Sequence, residues 1–81
     1  MRVSVLLWAQ MRIAAGREKI EIDMADGARL EEALDRLYAQ NPALAVHRPF
    51  ARAAVGNEYV DGDPILQPGD EISLIPPVQG G

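Results

Sequence analysis

Arg29-Leu30-Glu31-Glu32-Ala33-Leu34-Asp35-Arg36-Leu37-Tyr38-Ala39-Gln40-Asn41-Pro42 is the stretch on which the fold turns. Leu30, Ala33, Leu34, Leu37 and Tyr38 fall at i, i+3, i+4, i+7 and i+8, which places them on one side of a helix. Glu31, Glu32, Asp35 and Arg36 take the wet side. The early acids suit the positive end of the helix dipole, and Arg36 stands at ion-pair spacing from Glu32. Asn41-Pro42 ends the helix, because the residue before a proline avoids the α region. For the cap, Asp26 can offer an oxygen, whereas Arg29 cannot. A chain of 81 residues holds one core. A single long amphipathic helix must therefore lay its stripe on whatever flanks it, and the flanks read as strands.

On the N-terminal side, Arg17 to Met24 alternates: Lys19, Glu21 and Asp23 face one way, and Glu18, Ile20, Ile22 and Met24 the other. This predicts a half-buried strand, with Asp26-Gly27 as the turn into the helix. Further out, Arg2 to Ala9 is almost continuously apolar, which predicts a strand buried on both faces and central in its sheet. A short helical turn from Gln10 to Ala15 follows, closed by Gly16, and the two strands are expected to pair antiparallel. On the C-terminal side, Pro42 to Phe50 reads as a loop with one helical turn. Arg52–Val55 and Glu58–Val60 read as short strands about a Gly56-Asn57 turn. Turns at Asp61–Pro64 and Pro68–Asp70 lead to a last strand, Glu71–Ile75. The first and last strands are the most apolar and are expected to be parallel neighbours, with the helix in the crossover. The expected class is α+β: a β-grasp, or ubiquitin-like, mixed sheet with one main helix packed across it.

Composition removes several chemistries. The chain has no cysteine and one histidine, His47. Disulfides, thiolate nucleophiles, cysteine-ligated metal centres and multi-histidine metal sites are excluded, so no metal site is expected. Ser4 and Ser73 both sit in expected strands, which argues against a serine triad built on His47. Asp61 and Asp63 resemble the start of a calcium loop, but the later ligands are missing. A net charge of −4 argues against nucleic acid as partner. Gln10 and Arg12 interrupt the first apolar run too early for a signal peptide, and no stretch is long enough to span a bilayer. A cytoplasmic protein with no membrane partner is expected.

The last six residues are Pro76-Pro77-Val78-Gln79-Gly80-Gly81. Two prolines cannot donate to a ladder, and they favour an extended backbone that carries the chain away from the body. Two terminal glycines lack Cβ atoms, which suits a segment that must thread a narrow channel. The expected organisation is a β-grasp domain over 1–75 and a flexible Gly-Gly tail over 76–81.

From Asp70-Glu71 through Pro76-Pro77-Val78-Gln79-Gly80-Gly81 the chain resembles the ending of the small sulfur-carrier subunits of molybdopterin synthase, the MoaD type. Leu7-Trp8-Ala9-Gln10-Met11-Arg12 is similar to that family's aromatic-Ala-x-x-Arg segment, and Ala53 to Val60 resembles its Ala-Val-Asn strand. Gly56 stands where the family usually has Asn, Arg29 where it commonly has a capping Thr, and Ile75 where an aromatic is frequent. The resemblance implies that a ubiquitin-activating-like adenylyltransferase joins AMP from ATP to the C-terminal glycine. A sulfur donor enzyme then leaves a thiocarboxylate. The synthase large subunit receives the tail and passes sulfur to cyclic pyranopterin monophosphate, in a heterotetramer of two large and two small subunits. It implies no cofactor held by this chain itself; ATP is used by the activating enzyme. Gly81 becomes the thiocarboxylate and adenylation site; Gly80, Gln79, Val78, Pro77 and Pro76 become the threading segment. Ile75, Trp8 and Tyr59 become a docking patch, with core packing as the alternative for each. Arg12 becomes either a partner-facing cation or an ordinary surface arginine. The chain would be a sulfur-donating cosubstrate rather than a catalyst alone. Carriers for thiamin-thiazole, cysteine or tRNA thiolation share the fold and the Gly-Gly end, and an inert ubiquitin-like interaction module is a further alternative.

Overall fold

The apolar stripe of residues 30–38 is buried as a unit: Leu30, Ala33, Leu34, Leu37 and Tyr38 all lie against the sheet side of the molecule. A computed structural model describes residues 1–77, and the elements run in the expected order. They are β1 (Arg2–Leu7), α1 (Ala9–Ala15), β2 (Lys19–Asp23), α2 (Leu30–Gln40), a short 3₁₀ helix (Pro42–His47), β3 (Arg52–Val55), β4 (Glu58–Tyr59) and β5 (Glu71–Ile75). Among the described residues the sheet has five strands in the order β2-β1-β5-β3-β4. β1 pairs antiparallel with β2, Val5 opposite Ile20, and parallel with β5, Val5 opposite Ile72. β3 runs antiparallel to both β5 and β4. This is the α+β, β-grasp arrangement, with α2 as the main element of the crossover.

Register sorts the side chains into two faces. Val3, Val5, Leu7, Ile20, Ile22, Ile72 and Leu74 point inward and are buried against α2, with Met11 of α1 and Leu44 of the 3₁₀ helix closing the core. Ser4 and Leu6 point outward and are only half-buried. The expectation that β1 is covered on both faces is therefore corrected: no layer of described residues lies over the outer face. β1 also stops at Leu7, because Ala9 already belongs to α1. Gly16 ends α1 at φ 73°, a left-handed conformation that glycine adopts without Cβ strain. Gly56 plays the same part at φ 63° in the β3–β4 turn, so glycine suits the position where the family usually has asparagine.

Contacts remote in sequence do what local rules assigned elsewhere. Asp26 does not cap α2; it lies 3.6 Å from the Met1 amine. The first-turn N–H of Glu31 donates to Asp63 Oδ1 at 2.7 Å, across 32 residues. Glu32 accepts from the Arg29 N–H at 3.2 Å, half of a capping box. Leu30 N–H donates to the Pro64 carbonyl, and Arg29 bridges to Ile65, so the loop after β4 is fastened to the head of the helix. Arg36 does not reach back to Glu32; its guanidinium donates to the Asp23 carbonyl. Glu18, placed on the apolar side by alternation, is exposed and pairs with Arg12 at 3.1 Å. Arg48 meets Asp35 at 2.7 Å and Glu31 at 3.4 Å, and lies over the Tyr38 ring. It thereby ties the end of the 3₁₀ helix to α2. Burial pushes the Tyr38 hydroxyl above its ordinary value, and the charge of Arg48 pulls it partly back.

Asp63→Ala is expected to destabilise the fold by about 1 kcal/mol through loss of the cap, lowering the melting temperature by about 4–8 °C. Asp26→Ala, which removes an exposed carboxylate 3.6 Å from a Met1 amine already bonded to the Met24 carbonyl, is expected to change stability by less than about 0.5 kcal/mol. Thermal unfolding followed by circular dichroism compares the two.

Candidate functional site

Topology gathers one set of residues at one end of the sheet. Because β1 and β5 are parallel, Trp8 leaves β1 and Pro76 leaves β5 at the same end. β3 is antiparallel to β5, so Arg52 and the segment before it, with Phe50, begin there too. α1 starts at Ala9 in the same place, and Ala9 turns the chain with φ 48°, a left-handed value that costs a residue with Cβ about 1–2 kcal/mol.

On the outer face, Leu6, Ser73, Ala54 and Tyr59 stand opposite one another in a row across β1, β5, β3 and β4. Ile75 stands opposite Arg52 one step nearer the end. Trp8 retains extended backbone, φ −123° and ψ 154°, so the alternation of β1 carries its ring to the same face as Leu6. Trp8 is 49% exposed, Tyr59 is 55% exposed and Ile75 is half-buried. Core packing is thus not the role of Trp8 or Tyr59, and all three expected docking residues lie on one face. The Arg52 guanidinium carbon sits 4.0 Å from the Tyr59 ring centroid, a cation–π contact that lays the ring over the sheet. Ala54 is buried on this outer face, opposite Tyr59.

Arg12 borders the patch. A hollow of about 230 Å³ is lined by Leu6, Leu7, Trp8, Arg12 and Glu18. The Arg12–Glu18 pair at its edge is exposed on both sides, so it contributes little to stability. A partner carboxylate would compete with Glu18 for this guanidinium.

On the other side of the exit point lies a second hollow, of about 380 Å³, lined by Gln10, His47, Phe50, Pro76 and Pro77. Pro76 is buried and Pro77 exposed, so the buried part of the chain runs one residue past β5. Val78, Gln79, Gly80 and Gly81 of the expected threading segment lie outside the described residues. His47 is half-buried at this rim, and its carbonyl accepts from the N–H groups of Phe50 and Ala51. Leu6, Arg52, Ala54 and Phe50 were not singled out by the sequence. The first three are outward positions that only strand register reveals, and Phe50 sits in a segment without periodicity.

Nothing in this arrangement resembles a catalytic cluster. Among the described residues no group of three or more histidine, cysteine, aspartate or glutamate side chains could hold a metal ion. Asp63 is engaged as a helix cap and Asp61 is exposed. No helix among the described residues is long and apolar enough to cross a membrane. What the geometry offers is an apolar face and a proline-lined exit, arranged around the root of the C-terminal segment.

Fold and site together define a ubiquitin-like protein that presents its C-terminal segment beside an exposed apolar sheet face. The chain belongs to the ThiS family, whose model matches residues 5–81. It is 35% identical over 83 aligned residues, covering all of both chains, to a Chlamydomonas reinhardtii protein named molybdopterin synthase sulfur carrier subunit. In three dimensions it matches the crystal structure of SAMP1 from Haloferax volcanii with a TM-score of 0.89 and 28% identity over the whole of both chains. It also matches a chain from the complex of subunits 1 and 2 of molybdopterin-converting factor from Helicobacter pylori, with a TM-score of 0.75, 26% identity and full coverage of both.

Trp8→Ala and Tyr59→Ala are each expected to lower unfolding free energy by less than about 1 kcal/mol. Leu74→Ala, which empties a core position behind the same sheet, is expected to cost about 2–5 kcal/mol. Urea denaturation of the three variants tests whether the outer face is free of structural duty.

Proposed function

We propose that the chain is the sulfur carrier of molybdenum cofactor biosynthesis, the small subunit of molybdopterin synthase. The observation that carries the reading is the end-to-end match with sulfur carrier subunits of that enzyme, combined with an apolar face that converges on the root of a Pro-Pro-Val-Gln-Gly-Gly segment. Carboxylate oxygen is a poor leaving group, so the Gly81 carboxylate first attacks the α-phosphate of ATP in the activating adenylyltransferase. Pyrophosphate leaves and an acyl adenylate forms. The outer sulfur of a persulfide on a donor enzyme then attacks the Gly81 carbonyl carbon and AMP leaves. A thiol attacks the donor's sulfur in the resulting acyl disulfide, the S–S bond breaks, a disulfide forms on the donor, and the thiocarboxylate is released. Its sulfur is charged and polarisable, a better nucleophile than carboxylate oxygen. In the synthase the thiocarboxylate donates sulfur to cyclic pyranopterin monophosphate, and Gly81 returns to the carboxylate after hydrolysis.

The chain's own residues serve presentation. Gly80 and Gln79 allow the end to thread a narrow channel, and Val78, Pro77 and Pro76 set its direction. Ile75, Trp8 and Tyr59 dock the large subunit, and Arg12 sits at the border of that contact. The protein acts as a cosubstrate in a cytoplasmic heterotetramer of two large and two small subunits. The complex of subunits 1 and 2 known for the Helicobacter pylori neighbour supports a large-subunit partner.

Co-expression with its activating enzyme is expected to raise the intact mass by the difference between sulfur and oxygen. An unchanged mass, where a control carrier is charged, would remove the carrier reading and leave an inert interaction module. Incubation of the charged form with the synthase large subunit and cyclic pyranopterin monophosphate is expected to yield molybdopterin. Charging without that product would point to thiazole, cysteine or tRNA thiolation. Deletion of Gly81 is expected to abolish charging while changing stability by less than about 0.5 kcal/mol, since the described core ends at Pro76.

A further inference from the structure

Four residues follow Pro77, and fully extended they span about 13 Å. On the sulfur-carrier reading, on which this inference rests, a partner must bring its reactive centre to the Gly81 carbonyl. The rim of the partner's channel therefore stands within that distance of Pro77, and a rim so close rests on the body of the carrier. On one side of the exit it meets the sheet face, with Ile75 and Trp8. On the other it meets the hollow of about 380 Å³ lined by Gln10, His47, Phe50, Pro76 and Pro77. Phe50 is 67% exposed, so the core does not need it there. A solvent-exposed aromatic beside two prolines, with an amide and an imidazole at the edge, has the anatomy of an interface pocket: an apolar centre and a polar rim. Among the described residues that line the hollow, none carries a carboxylate, an ammonium or a guanidinium group. A charged group entering it would give up hydration with little return.

We propose that this hollow is a second docking site, separate from the sheet face, and that it receives an apolar side chain, aromatic or branched, from the rim of the synthase large subunit. The tail root is then gripped from both sides, by the sheet patch at Ile75 and by the Phe50 pocket at Pro76. A two-sided grip fixes the direction in which the short segment enters the channel, which a contact with the sheet face alone leaves open to rotation.

The test is titration calorimetry of the full-length chain against the synthase large subunit. Phe50→Ser is expected to weaken association about tenfold or more, and Phe50→Leu to retain most of the affinity. Gln10→Arg, which sets a charge in the hollow, is expected to weaken it as well. Both Phe50 variants should unfold at close to the temperature of the unaltered chain, because the ring is largely exposed. Unaltered affinity in both Phe50→Ser and Gln10→Arg, alongside firm binding by the unaltered chain, overturns the second site and leaves the carrier reading standing. Absence of binding by the unaltered chain overturns the molybdopterin-synthase reading, and this site with it.

Discussion

The parallel pairing of β1 with β5 is the constraint from which the rest of the molecule follows. Val5 lies opposite Ile72 and Leu7 opposite Leu74, and all four are buried. Two parallel strands cannot be joined by a tight turn, so the chain between them must cross over. That crossover contains the longest helix among the described residues, and the helix covers the inner face of the same two strands. The pairing also decides the site. Parallel strands end at the same edge, so Trp8 and Pro76 emerge side by side, and β3, antiparallel to β5, brings Arg52 and Phe50 to meet them. Fold and presentation of the C-terminal segment are consequences of one register.

Much of this was legible in the sequence because the signals are local and periodic. The stripe from Leu30 to Tyr38 and the alternation from Ile20 to Met24 match the buried positions residue for residue. What escaped the sequence was whatever depends on a distant partner. Asp26 was the nearer candidate for the helix cap, yet Asp63 occupies that place, because the loop after β4 is fastened to the helix by backbone bonds from Leu30 and Leu66. Arg36 likewise finds the Asp23 carbonyl instead of Glu32. Short-range spacing permits a contact; only the tertiary arrangement says which of several permitted contacts forms.

The misreading of β1 is the more instructive one. A run such as Val3-Ser4-Val5-Leu6-Leu7-Trp8 suggests a strand covered on both sides. In the structure one face is core and the other carries Leu6 and Trp8 toward water. An apolar excess beyond what the core uses is the mark of a surface that is covered some of the time. Sequence periodicity cannot separate the two cases, since both call for hydrophobic residues. Register can, because it shows Leu6, Ser73, Ala54 and Tyr59 in one row with Ile75 and Arg52 beside it. Phe50 posed the opposite difficulty: it stands in a segment with no period, so nothing local distinguished it from a loop hydrophobe.

On the proposed sulfur-carrier reading, the scarcity of reactive side chains is a property of where the chemistry lies: a main-chain carboxylate at Gly81 needs delivery rather than a cysteine, a histidine cluster or a metal in its own chain. Delivery on a tether follows effective concentration, which is highest when the tether just spans the gap and falls as a longer tether spreads its end over a larger volume. Burial of Pro76 anchors the tether at the edge of the body, and the fixed φ of two successive prolines stiffens its first part. On that reading a short tether with a stiff root concentrates the reactive end but shortens its reach, so each enzyme that uses it must come up against the carrier itself. The exposed apolar face and the proline-lined hollow are the counterpart of that short reach: what the tether does not span, the surface of the body has to fit.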